Sequence, residues 1–180
     1  DQRTEPELVK ALAAYNSKLD PTDPFASYSV TLAGGDINQG RSIFFNHGAA
    51  QCTRCHKGQR GRKGGVAGPD LWNVGSLHDP AYLLESLVNP AAHIAPGYGT
   101  VSLTLKDKTI VAGILTKENK KAVTITDLTS NAKTTYARSK IGGMSLPIST
   151  MPPMVGILKK SEVRDLIAYL SSLRDPKAKK

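Results

Sequence analysis

Apolar residues recur at helical spacing in four segments of the chain and at every second position in one segment between them. The helical period predicts amphipathic helices at residues 6–19, 36–45, 79–88 and 161–174. The last three helices each begin with a side chain that can accept hydrogen bonds from free backbone N–H groups, namely Asp36, Asp79 and Ser161. Prolines and aspartates at residues 20–24 end the first helix and predict a linker.

The period changes to two between residues 97 and 141, where Val101, Leu103 and Leu105 alternate with small or polar residues. Such alternation is typical of half-buried strands. Weaker signals of the same kind predict three more strands, at residues 109–116, 123–125 and 134–137. We therefore predict a mostly α-helical fold with a small antiparallel β-sheet inserted at about residues 97–141. The chain would divide into an N-terminal helix and linker at residues 1–34 and one domain at residues 35–176.

The composition is compatible with one domain that carries an insertion. The 180 residues are 39% hydrophobic, which is enough to bury a core. The apolar runs are only a handful of residues long, so we expect no membrane span, which needs about 20 residues. Residues 1–5 contain no apolar signal region, and we expect that any export signal has been removed or that the chain is a fragment.

One motif carries the strongest chemical signal, because Cys52 and Cys55 are separated by two residues and His56 follows directly. This spacing is the attachment signature for c-type haem. Each thiol can bond one vinyl group of the porphyrin, and the adjacent imidazole is then held under the ring, where it can bind iron. The chain contains only two cysteines, so no disulfide competes for them. A porphyrin face would also add core area to a chain that is only 6% aromatic. The motif predicts one covalently bound haem c.

Two other uses of a Cys-x-x-Cys pair fit the sequence less well. A structural zinc site needs further ligands at similar spacing, but the chain has no second cysteine pair, and His47, His78 and His93 are scattered. A thioredoxin-like redox pair needs a surrounding βαβ pattern, whereas this motif leads into a basic, glycine-rich loop at residues 57–69.

Iron in a c-type site has a second axial position, which methionine or histidine usually fills. Met151 is the favoured candidate, because Pro152 and Pro153 keep its segment extended and the segment lies shortly before the last helix. A thioether would favour reduced iron and raise the potential. Core filling is the ordinary role of a methionine, and Met154, a histidine or an open site remain alternatives. The other side chains considered are Met144, His47, His78 and His93.

The chain is strongly basic, with a formal net charge of +9 and a pI near 9.6. Five of its cations surround the motif: Arg54, Lys57, Arg60, Arg62 and Lys63. Such a ring of charge would steer an acidic redox partner toward an exposed haem edge, or it forms a solvated loop that keeps the protein soluble. Nucleic-acid binding is not expected, because aromatic residues are not interleaved with these charges.

Together these residues resemble a monohaem cytochrome c domain with methionine ligation. The resemblance rests on Gly40, Phe44, the Cys-x-x-Cys-His motif and three further segments, residues 68–71, 151–152 and 165–170. It implies that the first and last helices of the domain cross closely at Gly40, with Phe44 and Tyr169 near the crossing. It also implies that the Pro69 carbonyl accepts a hydrogen bond from the ring N–H of His56, which strengthens the imidazole as an electron donor.

A narrower resemblance covers residues 35–173 and is to the haem-binding domain found in Planctomycetes and Verrucomicrobia. It rests on the strand-rich insertion and on residues 79–90, 94, 97–98, 149–152 and 163–170. The turn at residues 106–108 departs from the pattern, because no glycine follows its aspartate. The resemblance implies a periplasmic or otherwise extracytoplasmic location. It also implies a place at the C-terminal end of large exported proteins, so we consider an attached catalytic domain as a partner.

The sequence therefore predicts an electron-transfer protein rather than an enzyme, with haem held by Cys52 and Cys55 and iron bound by His56 and Met151. With both axial positions filled, substrate cannot reach the metal. The alternative is a haem enzyme or small-ligand sensor whose distal site is open or whose methionine can be displaced. A third hypothesis connects the haem to an attached catalytic module, with the inserted sheet as a docking surface.

Overall fold

The computed structural model describes residues 6–59, 64–127 and 129–176. In these ranges the helices are α1 (Pro6–Asn16), α2 (Ile37–Asn46), α3 (Val74–Leu77), α4 (Pro80–Val88) and α5 (Lys160–Ser172). The strands are β1 (Gly99–Leu105), β2 (Ile110–Glu118), β3 (Ala122–Thr126), β4 (Lys133–Ala137), β5 (Ile141–Met144) and β6 (Ile148–Ser149). Short 3-10 turns occur at Ala26–Thr31, Cys52–Arg54, Arg138–Lys140 and Met154–Gly156.

Two of the predicted helix starts are confirmed. Asp36 Oδ1 accepts hydrogen bonds from the backbone N–H groups of Asn38 and Gln39, at 2.7 and 3.1 Å. Asp79 Oδ1 accepts one from the N–H of Tyr82 at 2.8 Å. Both carboxylates thus satisfy donors in the first turn that have no partner within the helix.

Two predicted helix boundaries are wrong. Helix α5 begins at Lys160, two residues earlier than an N-cap at Ser161 would place it, because its N-cap is Lys159. The Glu162 carboxylate reaches back over the first turn and accepts the N–H of Lys159 at 2.8 Å, so the predicted serine cap is not used. Helix α1 ends at Asn16 rather than at residue 19.

Helices α2 and α5 cross at Gly40, as the cytochrome c resemblance implies. A Cβ at this position would collide with the carbonyl oxygen of Asp165 and lie 2.8 Å from the Cβ of Tyr169, so the crossing requires a glycine. The ring centroid of Phe44 is 5.6 Å from that of Tyr169. The helical core around this crossing includes Val74, Leu83, Leu84, Leu87, Met154, Leu158, Val163, Leu166, Ile167 and Leu170.

The strands form one antiparallel sheet in the order β4-β3-β2-β1-β5, and β6 pairs separately with β1. Alternate residues of β1 and β3 form the core of this sheet, because Val101, Leu103, Val123 and Ile125 are at most 3% exposed. This second core is separate from the helical one.

The prediction of a mostly α-helical fold is wrong. The structure is 37% helix and 19% strand, and its six-stranded sheet is a substantial part of an α/β fold. Strand β5 contains Gly142 and Gly143 and therefore lacks an alternating pattern, and β6 is only two residues long. Neither strand has a hydrophobic period that a sequence could reveal. Pairing with the backbone of β1 forms them instead.

The N-terminal helix α1 keeps its apolar residues exposed. It contains no buried residue, and Leu8 and Leu12 are 49% and 60% exposed. The Tyr15 hydroxyl of this helix lies 3.2 Å from the Ser29 hydroxyl. Neither α1 nor any other helix in the described part of the chain is long and apolar enough to cross a membrane.

Candidate functional site

A mostly apolar cavity of about 350 Å³ lies beside the helical core. Apolar side chains from α2, α4 and α5 form much of its wall: Phe44, Leu83, Leu87, Leu166 and Leu170. Cavities of this size accommodate small ligands and cofactors. The structure brings all five sequence-predicted site residues to this cavity, namely Cys52, Cys55, His56, Pro69 and Met151.

The Cys-x-x-Cys-His motif forms a single tight turn. Gln51 precedes it in the left-handed backbone conformation, with a φ of 44°, and the 3-10 turn Cys52–Arg54 follows. The backbone N–H groups of Cys55 and His56 both donate to the carbonyl oxygen of Cys52, at 3.2 and 2.9 Å. This turn brings both thiols and the imidazole to the wall of one cavity.

The loop that follows the motif holds the His56 ring. Its Nδ1 donates a hydrogen bond to the Pro69 carbonyl at 2.8 Å, as the resemblance implies. Gly68 lies against the ring, where a Cβ would come within 2.5 Å of Cε1. The N–H of Gly68 donates to the Cys55 carbonyl at 2.9 Å, which ties this loop to the motif. The other ring nitrogen, Nε2, has no hydrogen-bond partner among the described residues and remains available to a metal.

Burial determines the protonation of two site residues. It lowers the pKa of His56, because a charged imidazolium would lose its hydration, and the hydrogen bond to Pro69 partly offsets this effect. The ring is therefore neutral at neutral pH, which is the form that binds metals. Burial also raises the pKa of the Cys52 thiol to about 11. A thioether has no proton to lose, so attachment to a porphyrin suits this buried sulfur.

Two methionine side chains line the cavity. Met151 is half-buried and follows β6, and its N–H donates to Ser149 Oγ at 3.2 Å. Met154 is 3% exposed and belongs to the helical core, where its carbonyl oxygen accepts the N–H groups of Ile157 and Leu158. Met154 is thus enclosed by protein atoms, whereas Met151 keeps part of its surface free.

Three aromatic rings form a further part of the cavity wall. The rings of His78 and Tyr82 stack with centroids 3.8 Å apart, and those of Tyr82 and His93 stack with centroids 5.2 Å apart. His93 Nε2 also lies 3.0 Å from Glu85 Oε2. The sequence indicates the two histidines only separately and does not reveal this group, because one histidine precedes α4 and the other follows it.

The remaining candidates for the second axial position lie elsewhere. His47 ends α2, where its Nδ1 accepts the N–H of Ala50 at 3.0 Å and its Nε2 lies 3.6 Å from Glu162 Oε1. Met144 belongs to β5 and packs against the sheet core. Neither side chain lines the cavity.

The described residues include two of the five cations around the motif. Arg54 is exposed, and its Nη1 donates to Gln51 Oε1 at 3.0 Å, whereas Lys57 is half-buried. Cys55, the residue after Arg54, is exposed as well. The solvent-exposed part of the motif therefore carries the positive charge of Arg54. The other three cations, Arg60, Arg62 and Lys63, lie outside the described residues.

The donor set of this cavity fits a c-type haem. In the described ranges no three His, Cys, Asp or Glu side chains lie close enough together to hold a metal ion. A haem iron takes fewer ligands from the protein, because the porphyrin supplies its equatorial nitrogens. Two thiols on one turn, a neutral imidazole and a thioether around one apolar cavity are the groups that such a cofactor uses.

A scan against protein-family models gives no match to this chain. A search of the curated proteins gives no significant match either. The resemblance to cytochrome c therefore stays a prediction from the residues themselves.

Proposed function

We propose that this protein transfers single electrons through one covalently bound haem c, with His56 and Met151 as the axial ligands of the iron. The observation that carries the proposal is the shared cavity, which Met151 lines together with Cys52, Cys55 and His56 although it lies about 95 residues further along the chain. The wall between them is mostly apolar, as the faces of a porphyrin require.

Each of these residues has a separate task. Cys52 and Cys55 would hold the porphyrin by thioether bonds. His56 would bind iron through Nε2, and the Pro69 carbonyl that accepts its Nδ1 proton fixes the ring and increases its donor strength. Met151 would provide a soft thioether, which favours ferrous iron and raises the reduction potential. When bound, the haem supplies the one-electron chemistry of its iron.

The apolar wall of the cavity keeps water away from the cofactor. Phe44, Leu83 and Leu166 all line it and are 2%, 4% and 1% exposed. Limited access of water affects the reduction potential of a metal site. It also leaves fewer solvent dipoles to rearrange when an electron arrives or leaves. This environment supports electron transfer rather than catalysis at an open metal.

We further propose an acidic redox partner. The exposed Arg54 lies on the motif next to the exposed Cys55, and the chain as a whole has a formal net charge of +9. Charge of this sign steers acidic proteins toward the surface that carries it. By resemblance, the compartment is the periplasm or another extracytoplasmic space, and an attached catalytic domain is a second candidate partner.

Intact mass tests the covalent attachment. We expect the protein, when expressed with a haem-ligating export pathway, to exceed the mass of its polypeptide by one haem. The double variant Cys52→Ala/Cys55→Ala should have the mass of the bare chain under the same conditions. A bare-chain mass for the unsubstituted protein would refute the proposal.

Absorption spectra test the axial ligands. We expect a low-spin ferric spectrum with the weak near-infrared band of methionine-bound iron in the unsubstituted protein and in Met154→Ala. Met151→Ala should lose that band, because it removes the proposed sulfur ligand. Loss of the band in Met154→Ala, with retention in Met151→Ala, would assign the ligand to the other methionine.

One observation favours a second function, a haem enzyme or small-ligand sensor with a displaceable methionine. His78 and His93 line the same cavity as Met151, so they could act as acid–base groups toward a small molecule on the iron. A high-spin ferric spectrum, or rapid binding of carbon monoxide by the reduced protein, would support this alternative against electron transfer.

A further inference from the structure

The loop that carries Met151 is attached to the inserted sheet. Strand β6 pairs with the start of β1, with Ser149 opposite Gly99 and Ile148 opposite Thr100. Met151 is the second residue after this strand. The proposed axial ligand therefore lies directly beside a strand pair that belongs to the sheet and not to the helical core.

Two features make this attachment tight. The Ser149 hydroxyl accepts a hydrogen bond from the N–H of Met151, with Oγ and N 3.2 Å apart, so it restrains the backbone of the ligand residue. Gly99 allows its neighbours to approach closely, because a Cβ there would lie 2.8 Å from Pro147 Cβ and 3.2 Å from Ile94 Cγ2. A glycine at this position thus permits the close packing of Pro147 and Ile94 beside the pair of β1 and β6.

Further hydrogen bonds join β1 to the segment between β5 and β6. The N–H of Ser102 donates to Ser145 Oγ, and the N–H of Ser145 donates to the Ser102 carbonyl, both at 2.9 Å. Strand β5 then pairs with the remainder of β1. Val101 and Leu103 of β1 are fully buried in the sheet core. Packing in that core therefore holds β1 in place, and β1 in turn holds β6, the strand before Met151.

The other end of the Met151 loop is fixed in the helical core. Pro152 and Pro153 restrict the backbone after Met151, since their rings fix φ. Met154 is then buried in that core. The hydroxyl of Tyr28 donates to the carbonyl of the next residue, Val155, at 3.2 Å. Met151 therefore lies in a short bridge between a strand of the sheet and the helical core, against which its own side chain packs.

We propose that the inserted sheet regulates the haem site by positioning Met151. Gly99 and Ser149 are positioning residues, and they act on the iron through the methionine. A shift of β6 against β1 would displace the Met151 thioether and lower the reduction potential of a bound haem, because a thioether ligand favours ferrous iron. This inference rests on the proposed His56 and Met151 ligation.

Two variants of the haem-loaded protein test this inference. Ser149→Ala removes the hydrogen bond to the Met151 N–H, and Gly99→Ala forces β1 away from Pro147. Gly143→Ala is the matched control, because a Cβ at that position of the same sheet meets only Thr104 Cβ, at 3.9 Å. The measurements are the near-infrared band, the midpoint potential and the rate of carbon monoxide binding to the ferrous protein.

We expect both variants to show a weaker near-infrared band, a lower potential and faster carbon monoxide binding. The apparent rate should rise about two- to tenfold, which is the range for the loss of one hydrogen bond. Gly143→Ala should match the unsubstituted protein in all three measurements. Circular dichroism and haem content report folding, and if Gly99→Ala does not fold, Ser149→Ala decides the question.

Unchanged band, potential and binding rate in Ser149→Ala would overturn the positioning role and leave the proposed haem ligation intact. If the unsubstituted protein lacks the methionine band, the ligation itself is wrong, and the positioning role is overturned with it. The two failures are therefore distinguished by the spectrum of the unsubstituted protein.

Discussion

Gly68 determines how closely the loop after the motif approaches the His56 ring. A Cβ at this position would lie 2.5 Å from ring carbon Cε1 and 2.7 Å from Nδ1, so the ring or the loop would have to move. The hydrogen bond from Nδ1 to the Pro69 carbonyl would then lengthen or break. This bond increases the donor strength of the imidazole. A single added methyl group would therefore change the reduction potential of the proposed haem iron.

We expect Gly68→Ala to raise the reduction potential of the haem-loaded protein by about 20 to 60 mV, the one-electron equivalent of one lost hydrogen bond. The sign is positive because a weaker imidazole donor stabilises ferric iron less. A redox titration followed by absorbance measures the shift. Gly48→Ala is the control, since no atom lies within 4 Å of a Cβ at that position. Equal potentials in the two variants would show that this loop does not influence the ring.

At the scale of elements, the crossing of α2 and α5 supports the wall of the cavity. Phe44 on α2 and Leu170 on α5 both line it. In an exposed helix, replacing glycine by alanine stabilises by about 1 kcal/mol. At Gly40 the added Cβ would collide with the Asp165 carbonyl and separate the helices. The local propensity and the tertiary packing therefore act in opposite directions at this residue.

We expect packing to dominate, so that Gly40→Ala lowers the free energy of unfolding by about 2 to 3 kcal/mol. Urea denaturation followed by circular dichroism measures this difference. Ser42→Ala, an exposed change on the same helix, should shift the free energy by no more than about 0.5 kcal/mol. If the Gly40→Ala protein is as stable as the unsubstituted one, α2 and α5 can move apart without a loss of folding free energy, and the expectation is wrong.

Elements with a local signal, such as a capping carboxylate or a hydrophobic period, could mostly be predicted from the sequence, whereas elements without one could not. Asp36 and Asp79 cap their helices because a cap needs only its own first turn. Strands β5 and β6 exist only through their pairing with β1, so the extent of the sheet was underestimated. The stack of His78, Tyr82 and His93 was missed because its two histidines lie on opposite sides of α4, which contains Tyr82.

The sequence predicts more of the candidate site than of the fold. The spacing of Cys52, Cys55 and His56 is a local signal, and the structure keeps all three on one turn. The cavity position of Met151 is not a local property, because it depends on both β6 and the helical core. The prolines after this methionine and its place before the last helix indicated it as a ligand, but its attachment to the sheet could not be read from the sequence.

At the scale of the whole molecule, the two cores differ in their relation to the cavity that we propose as the haem site. The cavity borders the helical core, where Leu83, Leu87 and Leu166 form part of its wall. The sheet core is formed by other residues, among them Leu103 and Val123, which do not line the cavity. A haem would therefore stabilise the helical half directly, because a group bound only by the native state stabilises that state.

Removing the haem should consequently affect the two halves unequally. In Cys52→Ala/Cys55→Ala, which cannot form the thioether bonds, we expect amide hydrogens of α2 and α4 to exchange at least about tenfold faster than in the haem-loaded protein. Amides of β1, β2 and β3 should change by less than about twofold, because their partners lie within the sheet. Hydrogen exchange followed by mass spectrometry measures both sets in one sample, so the sheet serves as an internal control. Equal acceleration in both halves would show that the bridge at Met151 couples the cores into one cooperative unit, and the sheet could then not retain its structure when the haem is absent.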